Sequence, residues 1–230
     1  MKKVVLSLMA VALALPCALA APAKSFDSYW TDSGVFYPAT GTFSKPAAWV
    51  PGQYVVMGTT VSGKHDTVTT TLVVRKEDQG WVIENSSVDK KGKESVSQML
   101  LAGLDTAMTT GDPSKIDLIW MKSMDKSGKV NVMEGPAITM LKGLMKSSWE
   151  KLVVNVAAPA DGGAVTVPAG KFGGTSTIKS TAKVMGRTIE AQSWFYSSVP
   201  VNGVVKTMTS DGKTVSELLA FGTDGTPRIP

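Results

Sequence analysis

Residues 53–88, QYVVMGTTVSGKHDTVTTTLVVRKEDQGWVIENSSV, decide the fold class of this chain. Runs rich in β-branched and aromatic residues alternate there with short polar turns, a pattern typical of β-strands joined by hairpins. In the middle run Val68, Leu72 and Val74 fall on one face, and the intervening threonines fall on the other. The runs span 53–61, 67–75 and 81–88. The stretch predicts an antiparallel meander with one apolar face and one solvent-facing face.

The same pattern continues toward the C-terminus. Residues 115–122 and 130–133 predict another hairpin, whereas residues 94–108 fit either a strand or a short helix. Apolar residues at helical spacing predict one helix over 136–149. After a loop over 157–163, the remaining predicted strands are 164–172, 175–184, 188–196, 204–209 and 215–221. The sequence thus predicts a mainly β (α+β) fold: a curved antiparallel sheet or open half-barrel with one or two helices packed on its concave face.

The N-terminus has the features of a secretory signal peptide. Two lysines precede an apolar run over 4–15, and the small-residue triplet Ala18-Leu19-Ala20 predicts cleavage after Ala20. The apolar run is too short for a permanent membrane span, and no later segment is long and apolar enough for one. Cys17 follows Pro16, unlike the cysteine of a lipid-attachment signal, so we do not expect lipidation there. These features predict a periplasmic or secreted protein with no transmembrane segment in the mature chain.

The composition suggests the organisation of the chain and argues against several functions. We expect a signal peptide over 1–20, an irregular aromatic-rich lead-in over 21–50, the β domain over 51–222 and a C-terminal tail over 223–230. The chain has one histidine, His65, which we interpret as an ordinary exposed turn residue, and one cysteine. A histidine zinc cluster and thiolate chemistry are therefore excluded for the mature chain. A net charge of +5 is too mild to predict a nucleic-acid partner, and the sequence predicts neither an enzyme nor a cofactor.

Large, adaptable apolar residues are the remaining signal, since the chain has 12 methionines and six tryptophans. Methionine suits surfaces that receive flexible apolar ligands. We therefore expect a cavity that holds a lipid, an acyl chain or another long apolar ligand. The residues expected to line it are Leu72, Val74, Trp81, Ile83, Leu118, Trp120, Leu141, Met145 and Trp194. The alternative is that residues of this kind fill a dry core and that the protein is a structural or assembly protein whose partner is another envelope protein or a lipoprotein.

Two fragments in the C-terminal half, Pro168-Ala169-Gly170-Lys171-Phe172 and the stretch from Trp194 to Val199-Pro200, carry a resemblance. Together with the order of strands over about 49–222, they make the chain similar to uncharacterised bacterial envelope proteins of the LolA/LolB-like lipoprotein-carrier superfamily. The resemblance implies an open half-barrel whose concave side is plugged by helices and holds acyl chains, with the predicted helix over 136–149 as such a plug. The carriers use an arginine on an early strand to hold their closed state, and this chain has no arginine before Arg75.

Overall fold

The computed structural model describes residues 26–43, 45–110, 112–150, 153–184 and 187–230. The predicted signal peptide, its cleavage site and Cys17 lie outside these ranges. None of the helices within them is long and apolar enough to cross a bilayer.

Strands dominate the described chain. They are β1 (Phe36–Tyr37), β2 (Tyr54–Val61), β3 (Lys64–Glu77), β4 (Gly80–Asp89), β5 (Glu94–Ala102), β6 (Asp117–Met124), β7 (Val130–Met133), β8 (Val153–Val156), β9 (Ala160–Val167), β10 (Gly170–Val184), β11 (Arg187–Phe195), β12 (Val204–Thr209) and β13 (Thr214–Gly222). Two α-helices, α1 (Leu104–Thr110) and α2 (Gly135–Glu150), and two 3₁₀ turns, Phe26–Trp30 and Pro113–Lys115, complete the described elements.

The strands form one open sheet. Its order is β1-β10-β11-β12-β13-β2-β3-β4-β5-β6-β7, with β8 and β9 also paired to β10. Neighbours pair antiparallel except β1, which runs parallel to β10. The path does not return to its starting strand, which confirms the mainly β open sheet that the sequence predicts.

Turn residues explain why the strands pair as they do. Val61 pairs with Lys64 across a two-residue loop in which Ser62 and Gly63 both have positive φ angles of 49° and 77°. Two consecutive positive φ values define the type I′ turn, whose twist matches that of a hairpin. This turn fixes the register of β2 against β3.

Two predicted segments differ from the structure. Residues 94–108 are both a strand and a helix, because the chain turns between β5 and α1 at Gly103, whose φ is +70°. Residues 164–172 are not one strand: Val167 pairs with Gly170 across Pro168 and Ala169. Proline has no backbone N–H to donate to a ladder, which favours a turn at that point. In addition, β9 begins inside the expected 157–163 loop, and β8 was not predicted.

The main core lies on one side of the sheet, here called the inner face. It contains buried side chains from the strands, such as Val55, Val73 and Leu218, together with Leu104 of α1 and Ile138 of α2. Both helices therefore pack on the same side of the sheet, as expected for the face that needs cover.

The opposite, outer face is not left to solvent, which corrects the prediction of one wet face. The 3₁₀ turn Phe26–Trp30 packs on a buried cluster that includes Val56, Val68 and Val88. Gly58 makes this possible, because a Cβ atom there would collide with the Trp30 indole. The predicted lead-in is therefore part of the domain.

Residues 223–230, expected to be a tail, cover the other part of the outer face. Ile229 is fully buried and packs with Val96 and Met124. The Glu84 carboxylate, 3% exposed, accepts hydrogen bonds from the backbone N–H groups of Arg228 and Ile229 at 2.9 Å each. We call residues 223–230 the C-terminal strap, because it is held across the sheet by both apolar and polar contacts.

The strap is tied down further by side chains of the sheet. Gln98 donates to Glu84 at 3.0 Å and also to the Ile229 carbonyl oxygen. The Arg228 guanidinium lies 2.9 Å from the Glu94 carboxylate. A buried carboxylate is tolerated only when its oxygens are hydrogen bonded, and three donors meet that requirement at Glu84.

Candidate functional site

Trp81 and Ile83 of β4, two of the residues predicted to line the cavity, share the inner face as expected. Both side chains are buried, and so is Leu118 on β6. They belong to one cluster with Leu104 on α1. This part of the inner face is occupied by the protein's own side chains.

The Trp81 indole is fixed by directional contacts as well as by burial. Its Nε1 donates to the Asp105 carboxylate on α1 at 2.8 Å, and its ring meets Trp49 edge to face at 5.8 Å. Lys76 lies over the same indole and pairs with Asp105 at 2.8 Å. These contacts attach α1 to the sheet and give the buried N–H its partner.

The pKa of Asp105 is held below its ordinary value by the hydrogen bond from Lys76 and then by that from Trp81. A carboxylate with a depressed folded pKa stabilises the protein fully above its unfolded pKa, about 3.9, and loses that contribution as pH falls through the folded value. Asp105→Asn is expected to lower the free energy of unfolding by about 1 kcal/mol at pH 7, because the carboxylate is half exposed.

Urea unfolding at pH 7, 5 and 3 checks this prediction. The difference between Asp105→Asn and the wild-type protein is expected to shrink between pH 5 and pH 3. Asp78→Asn, in the exposed β3–β4 turn, is the matched control and should cost almost nothing. A difference for Asp105→Asn that stays constant across this range would contradict the ionic contribution.

Two of the nine predicted lining residues face away from this core. Leu72 is buried on the outer face, where it contacts the C-terminal strap near Gly225. Trp120 lies opposite Leu100, while Leu118 lies opposite Leu101. The register shift between these two pairs places Leu118 and Trp120 on opposite faces, although they are two residues apart.

The other four predicted lining residues do not lie together in one cluster. Leu141 is half buried and packs against the main core. Val74 sits at a register shift between β3 and β4, and Trp194 sits at one between β11 and β12. Both are half buried and belong to none of the buried clusters among the described residues. Met145 lies on α2, and its side chain is outside the described part of the chain.

Trp120 lines a surface recess of about 580 Å³ on the outer side of the sheet. Glu77, Asp78 and Gln79 of the β3–β4 turn and Leu100 form the rest of its wall. The Lys122 ammonium lies 5.4 Å from the Trp120 ring centroid. The recess is open and polar, so it does not provide the apolar cavity that the sequence predicts.

An apolar surface does remain at the edge of the sheet, where α2 packs on β6. Ile138 of α2 is buried, whereas Met140 of the same helix is 71% exposed. Met133 on edge strand β7 pairs with the core residue Met121, which places it on the inner face, and it is 38% exposed. We call Met133, Ile138, Met140 and Leu141 the helix-edge site.

Of these four residues only Leu141 is among those that the sequence predicts to line a cavity. Met140 lies outside the apolar stripe by which α2 faces the sheet, although its apolar side chain alone would lead one to expect burial. Met133 belongs to a four-residue strand whose position at the sheet edge depends on the whole topology. The sequence did contain a signal for its exposure. Helical spacing places Met140 outside the buried stripe, and an apolar residue in such a position indicates exposed apolar surface.

His65 is not an isolated turn residue. Its ring stacks on Trp30 with centroids 3.9 Å apart, and its Nδ1 lies 3.7 Å from the Asp27 carboxylate. These contacts attach the 3₁₀ turn to β3. Within the ranges that the structure describes, no group of three or more His, Cys, Asp or Glu side chains could hold a metal ion.

Comparison with known proteins finds similarity only among solved structures. No protein-family model and no curated protein sequence matches the chain. A structure described as an exported protein with a YmcC-like fold from Bacteroides fragilis is similar, with 13% identity and a TM-score of 0.36; the match covers 79% of this chain and 100% of that one. A structure described as a lipoprotein from Parabacteroides distasonis is similar too, with 14% identity and a TM-score of 0.36, covering 79% and 99%. Neither likeness is close enough to assign a family, and the resemblance to the lipoprotein carriers stays a prediction.

Proposed function

We propose that this chain is an exported binding protein of the cell envelope that holds an acyl chain or another long apolar ligand at the helix-edge site. The observation that carries the proposal is the exposure of Met140 on α2 and of Met133 on β7, the strand that directly precedes this helix, while Ile138 of α2 is buried in the core. Apolar area left uncovered next to a core is typical of a binding surface. The signal-like N-terminus supports a role outside the cytoplasm.

Methionine is suited to this role because its unbranched side chain adapts to ligands of different shape. Burial of about 200 Å² of an acyl chain would contribute about 5 kcal/mol before the cost of immobilising it. That magnitude supports reversible binding with little dependence on the head group. Binding of this kind needs no covalent chemistry, so the proposed function includes no enzymatic activity.

Native mass spectrometry of gently purified protein tests the proposal. We expect co-purified apolar molecules and saturable binding of a fluorescent fatty acid. The double variant Met133→Gln/Met140→Gln, which keeps size and neutrality, is expected to weaken that binding about thirtyfold, because roughly 1 kcal/mol of apolar burial is lost at each position.

Ile189→Gln is the control, since Ile189 is also an exposed apolar residue but lies on β11. It should bind the fatty acid like the wild-type protein. An apo mass together with no fatty-acid binding would refute the proposal. Equal weakening by the control and the double variant would move the binding away from the helix-edge site.

The second candidate is an envelope scaffold or assembly protein that binds another protein and no lipid. The dense packing around Trp81, Ile83 and Leu118 favours it, because most of the inner face is already filled. A pull-down from envelope extracts that recovers a stoichiometric protein partner, with no apolar molecule bound, would support this candidate instead.

A further inference from the structure

The hairpin tips of the sheet gather at one end of the strands. Strand direction alternates along the order β12-β13-β2-β3-β4-β5-β6-β7, so the turns β12–β13, β2–β3, β4–β5 and β6–β7 lie at one end and the β3–β4 turn lies at the other. Direct contacts join neighbouring tips: the Ser62 N–H donates to the Lys213 carbonyl oxygen at 2.7 Å, and the Lys90 N–H donates to the Asp66 carbonyl oxygen at 3.0 Å. We call these four turns the tip surface.

The tip surface is rich in lysine. Lys90 pairs with Asp66 at 2.8 Å, and Lys213 lies 3.7 Å from Asp211. Five more lysines on these turns are exposed and take part in none of the ion pairs found within the described ranges: Lys64, Lys91, Lys93, Lys126 and Lys129. Their ammonium groups are therefore available to an external anion.

The carboxylates of the same turns are directed inward, toward their own backbone. Asp89 accepts hydrogen bonds from the N–H groups of Lys91 and Lys93, and Asp125 accepts them from those of Ser127 and Lys129. The Ser127 hydroxyl holds the pKa of Asp125 below its ordinary value. The acidic groups thus shape the turns, while the lysines project from them.

At the opposite end of the sheet most acidic side chains are paired with basic ones. Glu77 pairs with Arg75 at 2.8 Å, Asp105 with Lys76 at 2.8 Å, and Asp112 with Lys115 at 4.0 Å. The unpaired positive charge of the tip surface is therefore separated along the strand direction from an end where most charges are paired. Such a separation orients a protein in the field of a charged surface.

From this arrangement we propose that the tip surface docks on an anionic lipid bilayer. Five projecting lysines within one end of a rigid sheet match the spread charge of lipid head groups, and each lysine near such a surface contributes favourably. The strands would stand on the bilayer with the β3–β4 turn pointing away. This inference does not depend on the helix-edge site.

Co-sedimentation with vesicles tests the inference, using the protein purified from its native compartment. Binding is expected to vesicles of phosphatidylglycerol mixed with phosphatidylcholine and not to phosphatidylcholine alone. It should fall sharply between roughly 0.05 M and 0.5 M salt, because screening shortens the range of the attraction. The double variant Lys91→Glu/Lys126→Glu is expected to lower the partition coefficient of the protein onto the anionic vesicles at least about tenfold.

Lys45→Glu/Lys171→Glu changes the net charge equally, at exposed positions outside the four turns. This control should weaken binding less than about threefold, as expected when only net charge acts. Equal loss in both double variants would overturn the proposal, and so would equal binding to neutral vesicles. Salt-sensitive binding to polyphosphate with none to anionic vesicles would also overturn it, since the anion recognised would then not be a lipid surface.

Discussion

Glu84→Ala is expected to lower the free energy of unfolding by about 3 kcal/mol. The substitution removes the acceptor of three hydrogen bonds, from the backbone of Arg228 and Ile229 and from the side chain of Gln98. Each buried donor left without a partner costs about 1–3 kcal/mol. The total stays below the sum, because the C-terminal strap can detach and return its N–H groups to water.

Urea denaturation followed by tryptophan fluorescence measures this loss. Glu190→Ala is the control, since Glu190 lies exposed on β11, and its cost should stay within about 0.5 kcal/mol. Ile229→Ala provides an independent route to the same conclusion and should cost about 2–4 kcal/mol by leaving a cavity. If the Glu84→Ala and Glu190→Ala variants were equally stable, the strap would not be anchored through the Glu84 carboxylate.

Gly103→Ala is expected to be at least as damaging, with a loss of more than about 3 kcal/mol. Gly103 has a φ of +70° and lies where β5 gives way to α1. A Cβ atom at this position would collide with the carbonyl oxygen of Lys115. Backbone cannot move aside as a flexible side chain can, so the turn, α1 and the 3₁₀ turn after it would have to shift together.

Gly92→Ala separates this collision from ordinary backbone strain. Gly92 has nearly the same φ, +73°, but a Cβ atom there would meet no other group within 4 Å. Its substitution should cost only about 1–2 kcal/mol, the penalty for a side chain in the left-handed region. Thermal melts of the two variants should therefore differ by several degrees, and equal melting temperatures would argue against the collision.

Local pattern predicted most of the sheet because alternation and turn chemistry act over a few residues. The strand over 130–133 has the bounds that the sequence predicts, and the helix over 136–149 is one residue longer at each end. Trp81 and Ile83 share a face for the same reason. Such features depend only on the period of the side chains and on the residues that interrupt it.

The distribution of residues between the two faces could not be predicted equally well. A single extra residue between Leu118 and Trp120 reverses the face of everything beyond it, and alternation alone does not reveal where such a shift occurs. The cover of the outer face was missed for another reason. Residues 223–230 have no regular period, so their burial depends on contacts with β4 and β5 that are distant in sequence.

The strap also bears on how a newly made chain folds. Ile229 donates to Glu84 across 145 positions of sequence, and β13 must pair with β2 before the middle of the sheet is complete. Contacts of such long range are slow to form, since the intervening chain must first be brought into a closed loop. Until β13 and the strap have been synthesised, the polypeptide is expected to lack these contacts and to remain incompletely folded, which would suit the export that we propose for it.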